Sequence, residues 1–432
     1  MIYHFSAQLN SDMNSVALFM LFQNKRSDSM RKLTLWGIAF LMLFSLGACD
    51  SVNLDDYKAK AKTTIQDFAD ERQNDYGSNN WQTICNIVAD CKDIVDLSKN
   101  KSNIDIAVND AKESIDKVIK LMSGAEDYSA GNGTKNNPYI ISNRGQLIHF
   151  SNQVNDNVNV SAYFALGADI DLEDMEWVPI GIIDHYYGED VFNGVFDGKG
   201  YEISNFRITV RSNNPRASAI GLFGCSAGTI KNLGVTDFDI NIAWSSEIGS
   251  IRSAFVGGLA GRNIGNISNC YTLGSIVLEY NGGPQIAAPA HIHAGGLVGY
   301  SDGNLTNSYA ATNVSAKNAD NRGMAYAAGL VNGGIAKNCF VTGNVSTDTD
   351  SSDNASPIGV NDSSCFAYEG LKINSFVLGS HVFTCSGDEL NDPTFYTDKL
   401  SWSTELWNLD NIYFSEVKYI DGKYPKLKKN CE

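Results

Sequence analysis

Four stretches of this chain are copies of one unit, and that constrains the fold more than any other feature. They are "GLFGCSAGTIKNLGV" from Gly221, "GGLAGRNIGNISNCYTLGSI" from Gly257, "GGLVGYSDGNLTNSYAATNV" from Gly295 and "AAGLVNGGIAKNCFVTGNV" from Ala327. Leu222, Leu259, Leu297 and Leu330 correspond, as do Asn232, Asn269, Asn307 and Asn338. A weaker fifth copy is expected through "KINSFVLGS", with Asn374 at the asparagine position. The period is 31 to 38 residues, a constant part followed by a variable insertion, as expected of units that stack with loops on one side.

Stacking explains the composition. Each strand pairs with its equivalent in the next unit about 4.8 Å away, so every position meets its own counterpart. Leu and Val then form core columns. Glycines are expected to supply left-handed or tight corners where a Cβ would clash, and the recurrent Asn to form a ladder of side-chain amides that satisfies corner backbone groups. Cys270 and Cys339 are equivalent, but Ser308 lies between them, so they stand two strand spacings apart, roughly 10 Å, too far for a disulfide.

The quartets "GLFG" (Gly221, Leu222, Gly224), "GLAG" (Gly258, Leu259, Gly261) and "GLVG" (Gly296, Leu297, Gly299) resemble the GLUG motif of bacterial surface proteins and of the non-catalytic regions of some immunoglobulin-cleaving metallopeptidases. The fourth unit departs, with "GLVN" (Gly329, Leu330) and two residues missing before Asn338, which implies a tighter corner. "NPYIIS", "FALGADIDL", "EWVPIG" and "VFNGVFDGKGYEISNFRI" are similar to segments preceding such repeats, and "LSWSTELWNLDN" with "DGKYPKL" to their close. The resemblance implies a mainly β fold: a right-handed parallel β-helix or solenoid over residues 138–430, with repeats at about 221–380 and a C-terminal cap.

Ahead of it, residues 54–122 read as three amphipathic helices in a small bundle or stalk. Their apolar faces are Tyr57, Ala61, Ile65 and Phe68; Trp81, Ile84, Val88 and Val95; and Ile104, Ala107, Ala111, Ile115 and Val118. The pattern is similar to the FIVAR-type helical modules of bacterial surface proteins. Cys85 and Cys91, six apart on one helix, fall on roughly opposite faces, so buried thiols rather than disulfides are expected. The Gly/Asn/Ser-rich stretch 123–137 reads as a linker.

At the amino end Arg31 and Lys32 precede the apolar run Leu35–Leu46, then Gly47-Ala48-Cys49. A charged region, a short apolar region and small residues in this order read as an export signal over residues 1–48, with the true start expected at Met30. The run is shorter than the roughly 20 residues of a membrane span. Leu46 to Cys49 resembles the lipobox of bacterial lipoproteins, which implies lipidation at Cys49, a tether over 49–53 and attachment to the membrane through the lipid.

Acidic residues outnumber basic ones 49 to 33, and the net charge of −16 argues against a nucleic-acid partner. There is no His-Glu-x-x-His, Gly-x-Ser-x-Gly or phosphate loop, and no cofactor is expected. His291 and His293 would share a strand face and could bind metal, but with no further ligand nearby in sequence they read as an exposed loop pair. "DTDSSDN" (348–354) and the acidic set Asp169, Asp171, Glu173 and Asp174 read as solvated turns rather than calcium loops. The reading is a protein of the cell envelope, anchored to the outer membrane and surface-exposed, that binds an extracellular glycan or protein. A polysaccharide lyase is the enzymatic alternative, with Lys231, Arg262 and Lys337 as its scattered basic candidates, and a structural spacer the third.

Overall fold

A computed structural model describes residues 53–116, 118, 120–182, 191–212, 219–245, 253–282, 291–319, 323–347, 354–359, 364–373, 383–410, 412–414 and 424–429. Cys49, the export signal and Asn374 lie outside them, as do residues 348–353 of the acidic stretch. The chain divides into two compact units, with the boundary between Leu121 and Met122.

The first unit contains helices α1 (Leu54–Asp70), α2 (Ser78–Leu97) and α3 (Lys101–Asp116). Asn53 caps α1 by accepting from the Asp55 amide at 3.1 Å, one of the donors a helix start leaves free. Ile65, Ile84, Val95, Ile104 and Ile115 are fully buried in the shared core, and Trp81, Phe68, Tyr57 and Val118 pack against it. The helical spacing of these positions is therefore what joins the three helices. Cys91 is buried and Cys85 half-buried, both as thiols. Among the described residues no helix is long and apolar enough to cross a membrane.

The second unit is mainly β, and its repeats build three parallel sheets. Each full repeat first enters one sheet (Ser253–Gly257, His291–Gly295, Met324–Ala328, Asn354–Ser356), the entry sheet. It next enters a second (Phe223–Ser226, Ala260–Asn263, Val298–Ser301, Val331–Asn332) and then the long sheet, through Thr229–Trp244, Asn266–Tyr280 and the shorter strands that follow. Register is kept from repeat to repeat: Ile230 pairs with Ile267, Ile267 with Leu305, and Leu305 with Ala336. Leu222, Leu259, Leu297 and Leu330 are all fully buried in one core, each contributing about 1.5–3 kcal/mol of burial. The open side of that core at the first strands is covered by the helix Arg144–Asn155, whose Phe150 ring lies 4.3 Å from Phe164 and 5.4 Å from Phe196.

Several expectations are corrected by this arrangement. Of the two roles expected of the Gly-Leu glycines, the tight approach is theirs, while the left-handed position common to the repeats is the asparagine: Asn232, Asn269, Asn307 and Asn338 have φ of 54°, 52°, 51° and 56°. Asn enters this region more readily than most residues that carry a Cβ. Gly221, Gly224, Gly258, Gly261, Gly296, Gly299 and Gly329 do not adopt it. They are small because the neighbouring backbone occupies the space; a Cβ on Gly296 would lie 2.1 Å from the Gly329 carbonyl oxygen.

The asparagine ladder bonds side chain to side chain rather than to corner backbone. Asn269 Nδ2 donates to Asn232 Oδ1 at 3.0 Å, Asn232 to Asp197 at 2.9 Å, and Asn338 to Asn307 at 3.1 Å. It breaks between Asn269 and Asn307, where the buried Asn269 Oδ1 has no partner. Replacing Asn269 by alanine forfeits one amide bond and puts at the left-handed dihedral a residue that enters it less readily than asparagine, a loss of roughly 1–3 kcal/mol. Asn269→Gly should recover the dihedral part, an ordering that urea denaturation of the two variants checks.

The fourth repeat absorbs its two missing residues by a register shift between Val298 and Tyr300 and by consecutive left-handed Gly333 and Gly334 (φ 75° and 78°). The fifth repeat is out of its expected register. Phe366 pairs with Phe340, so Ser364 holds the asparagine position, and its hydroxyl accepts from the Asn338 amide at 3.1 Å. Residues 123–137, expected as a linker, fold onto the first strands. Tyr128 stacks on Tyr139 at 4.5 Å, and the Gly133 carbonyl accepts from the Tyr163 amide at 2.9 Å. In the stretch expected as a C-terminal cap, the described residues 386–410, 412–414 and 424–429 lie on the outside of the long sheet, where Trp402, Trp407, Tyr424 and Leu427 pack on Tyr271, Tyr309 and Phe340.

Candidate binding surface

In each repeat the variable insertion falls between the long sheet and the next strand of the entry sheet: after Trp244, after Tyr280, after Asn318 and after Thr347. The entry-sheet strands alternate, so Ala254, Val256, Ile292, Ala294, Ala325 and Ala327 are buried in the core while the intervening residues face outward. His291 and His293 therefore share an outer face, as a strand requires, but they lie on the strand His291–Gly295 rather than in an exposed loop.

Pairing places Phe255, His293 and Tyr326 side by side on three successive strands. The His293 ring stacks on Tyr326 at 4.6 Å with 5° between planes, and on Phe255 at 5.2 Å. Tyr300, from the adjoining second sheet, meets His293 edge-on at 5.4 Å and Phe255 at 5.3 Å. The Arg262 guanidinium lies 5.9 Å over the Phe255 ring and pairs with Asp302 at 2.7 Å. Beside His291 on the next strand is Met324, whose sulfur accepts from the Tyr326 hydroxyl at 2.9 Å. Phe255 is buried, and the half-buried His293, Tyr300 and Tyr326 offer ring edges, phenols and an imidazole, the chemistry of aromatic contact and hydrogen bonding rather than of bond breaking.

Burial holds His293 neutral, lowering its pKa to about 4 with help from the nearby His291. Its Nδ1 and that of His291 are buried without a hydrogen-bond partner. The unfolded state binds the proton more readily between pH 6.5 and 4, so this contribution to stability is complete above the unfolded value and is lost as pH falls through that window. The loss should be on the order of 2 kcal/mol, seen as a steeper fall in the urea midpoint from pH 7 to pH 4.5 than in His293→Phe.

Sequence reasoning missed Phe255, Tyr300 and Tyr326, although a signal was present: Phe255, His293 and Tyr326 each stand three residues before the first glycine of a Gly-Leu pair. The other expected positions are occupied structurally. Asp171 accepts from the Glu173 amide at 2.7 Å and from Asn205 at 2.9 Å, bonds that hold its pKa below the usual carboxylate range. Asp169 pairs with Lys429, Glu173 with Arg144, and Asp174 with Arg207. Lys231 pairs with Asp197 at 3.2 Å, whereas Lys337 lies exposed at the end of the short strand Ile335–Lys337. Among the described residues no three His, Cys, Asp or Glu side chains gather where they could hold a metal ion.

Comparison with known proteins yields two partial likenesses. The chain is 33% identical over 149 residues to halomucin of Haloquadratum walsbyi, covering 30% of this chain and 2% of that protein. It is 32% identical over 150 residues to a protein of Evansella cellulosilytica named as a Gly-rich membrane protein, covering 33% of this chain and 15% of that one. The chain thus spans only a small part of either relative. No family model matches it, and no solved structure matches it.

Proposed function

We propose that this is an envelope protein whose repeats wind as a right-handed parallel β-solenoid of the GLUG type and whose outer entry-sheet face binds a glycan at the cell surface. The observation that carries this reading is the stacked Phe255, His293 and Tyr326 strip, on the sheet that every variable insertion leads into. Such a constant scaffold with varied inserts is where binding groups sit, and the half-buried rings and hydroxyls of Tyr300 and Tyr326 suit contact with a sugar. The names of the two partial relatives, one a membrane protein, support an envelope location. The lipobox at Cys49 supports a lipid anchor, with the helical unit as its stalk. Binding is favoured over a lyase reaction because the carboxylates Asp197 and Asp302 engage Lys231 and Arg262.

The full chain on a glycan array should retain a defined set of oligosaccharides. Exchanging Tyr326 and His293 together for alanine should weaken their binding at least about tenfold, or 1.4 kcal/mol. A blank array, or affinities unmoved by the double exchange, would overturn the reading.

A further inference from the structure

Cys339 and Cys365 precede a register pair, Phe340 with Phe366, on adjacent parallel strands, and the Phe366 amide donates to the Cys339 carbonyl at 2.9 Å. Neighbouring strands stand about 4.8 Å apart, inside the Cα range that a disulfide spans. Both residues are fully buried in the same core cluster and both are thiols in the structure. Cys270 provides the contrast: it occupies the same position two strands earlier, but its neighbour is Ser308, whose hydroxyl accepts from the Cys270 amide at 3.0 Å.

We propose that Cys339 and Cys365 form a disulfide that staples the fifth repeat to the fourth. It closes when a disulfide oxidant, such as a small-molecule disulfide or a dithiol–disulfide oxidoreductase, meets the folding chain. One cysteine thiolate attacks a sulfur of the oxidant and forms a mixed disulfide. The second thiolate then attacks the protein sulfur of that bond and expels the oxidant as its thiol form. Two protons and two electrons leave the pair, and the oxidant takes them up. Because both sulfurs are buried, exchange belongs to folding rather than to the finished molecule. The link has a stabilising role: Cys365 follows Cys339 by 26 residues, and closing that loop restricts the unfolded state.

The full chain, refolded from denaturant in mixed reduced and oxidised glutathione and then alkylated in denaturant, tests this wherever the protein resides in the cell. The expected result is a Cys339–Cys365 linked peptide, a protein that carries two alkyl groups fewer than its fully reduced and alkylated form, and Cys270 alkylated. The melting temperature should fall by several degrees on reduction, and this difference should vanish in Cys365→Ser. Alkylation of both Cys339 and Cys365 after oxidative refolding would overturn the proposal, and so would Cys270 in the linked peptide. The peptide map decides on the native sequence alone, whether or not the variant folds.

Discussion

Gly296→Val should abolish cooperative folding of the repeat unit, although it adds only three carbons to a residue with ordinary dihedrals. A Cβ at Gly296 would meet the Gly329 carbonyl oxygen at 2.1 Å and the Ala310 Cβ at 3.0 Å. The first of these is backbone of the next repeat, and it cannot yield cheaply. The Gly296 amide donates to Ala328 at 3.1 Å and the Leu297 amide to Leu330 at 2.9 Å, so moving the strands apart breaks the ladder that joins them. Overpacking with backbone displacement lies in the range above about 4 kcal/mol, where single substitutions are exceptional. Set against a total stability of about 5–15 kcal/mol, that is enough to unfold the unit. Even Gly296→Ala should lower the melting temperature by roughly 8 °C or more. The informative control is Gly282→Ala. Gly282 is left-handed (φ 85°) but has nothing within 4 Å of its would-be Cβ, so the cost is the dihedral alone, about 1–2 kcal/mol. If the two alanine variants melt alike by differential scanning calorimetry, close approach is not what the repeat glycines serve.

That contrast marks what the sequence could and could not convey. The aligned Leu222, Leu259, Leu297 and Leu330 announced a shared core column, because stacking makes a periodic requirement visible as a periodic residue. The helical faces of the first unit were legible for the same reason, since an apolar stripe at helical spacing has one use. The reason for each glycine was not legible. Gly can mean a left-handed φ or a missing Cβ, and only the neighbouring strand distinguishes them. Asn232 and its counterparts carry the left-handed turn, leaving the Gly-Leu glycines to the second role. The fifth repeat escaped because its spacing contracts: Phe366 follows Phe340 by 26 residues, and the matching asparagine has become Ser364. The outward strip of Phe255, His293 and Tyr326 was readable as a column, but as a single motif "HIHA" suggested only a metal or a loop. What decided its character was the pairing of three strands far apart in sequence, which no local pattern contains.

Trp402→Ala should be the most damaging change outside the repeats, because that residue anchors the C-terminal segment to the long sheet. Tyr271, Tyr309 and Phe340 stack on successive strands, with centroids 5.0 and 4.8 Å apart, and without cover they would present a continuous aromatic ridge. Trp402 lies on that ridge, 5.6 Å from Phe340 and stacked on Trp407 at 4.2 Å, while its indole N–H donates to the Asn338 carbonyl at 2.8 Å. The same segment continues toward the earlier strands: Tyr309 donates to the Pro425 carbonyl at 2.9 Å, Lys426 pairs with Glu202 at 2.7 Å and Lys429 with Asp169 at 2.5 Å. Those ion pairs are exposed and contribute little, so the attachment rests on buried side chains, among them Trp402, Trp407, Tyr396 and Leu427. Truncating a buried Trp costs about 3–5 kcal/mol, a large part of what such a segment can draw on. Limited proteolysis should therefore cut within 386–429 while the repeats stay folded, and the bared ridge should drive association at raised concentration. Trp402→Phe keeps a ring on the ridge but leaves the Asn338 carbonyl unpaired, and should lose about 1–3 kcal/mol. Equal protease resistance of the wild type and Trp402→Ala would show that the segment is held elsewhere, with Tyr309 and Tyr424 the next residues to exchange.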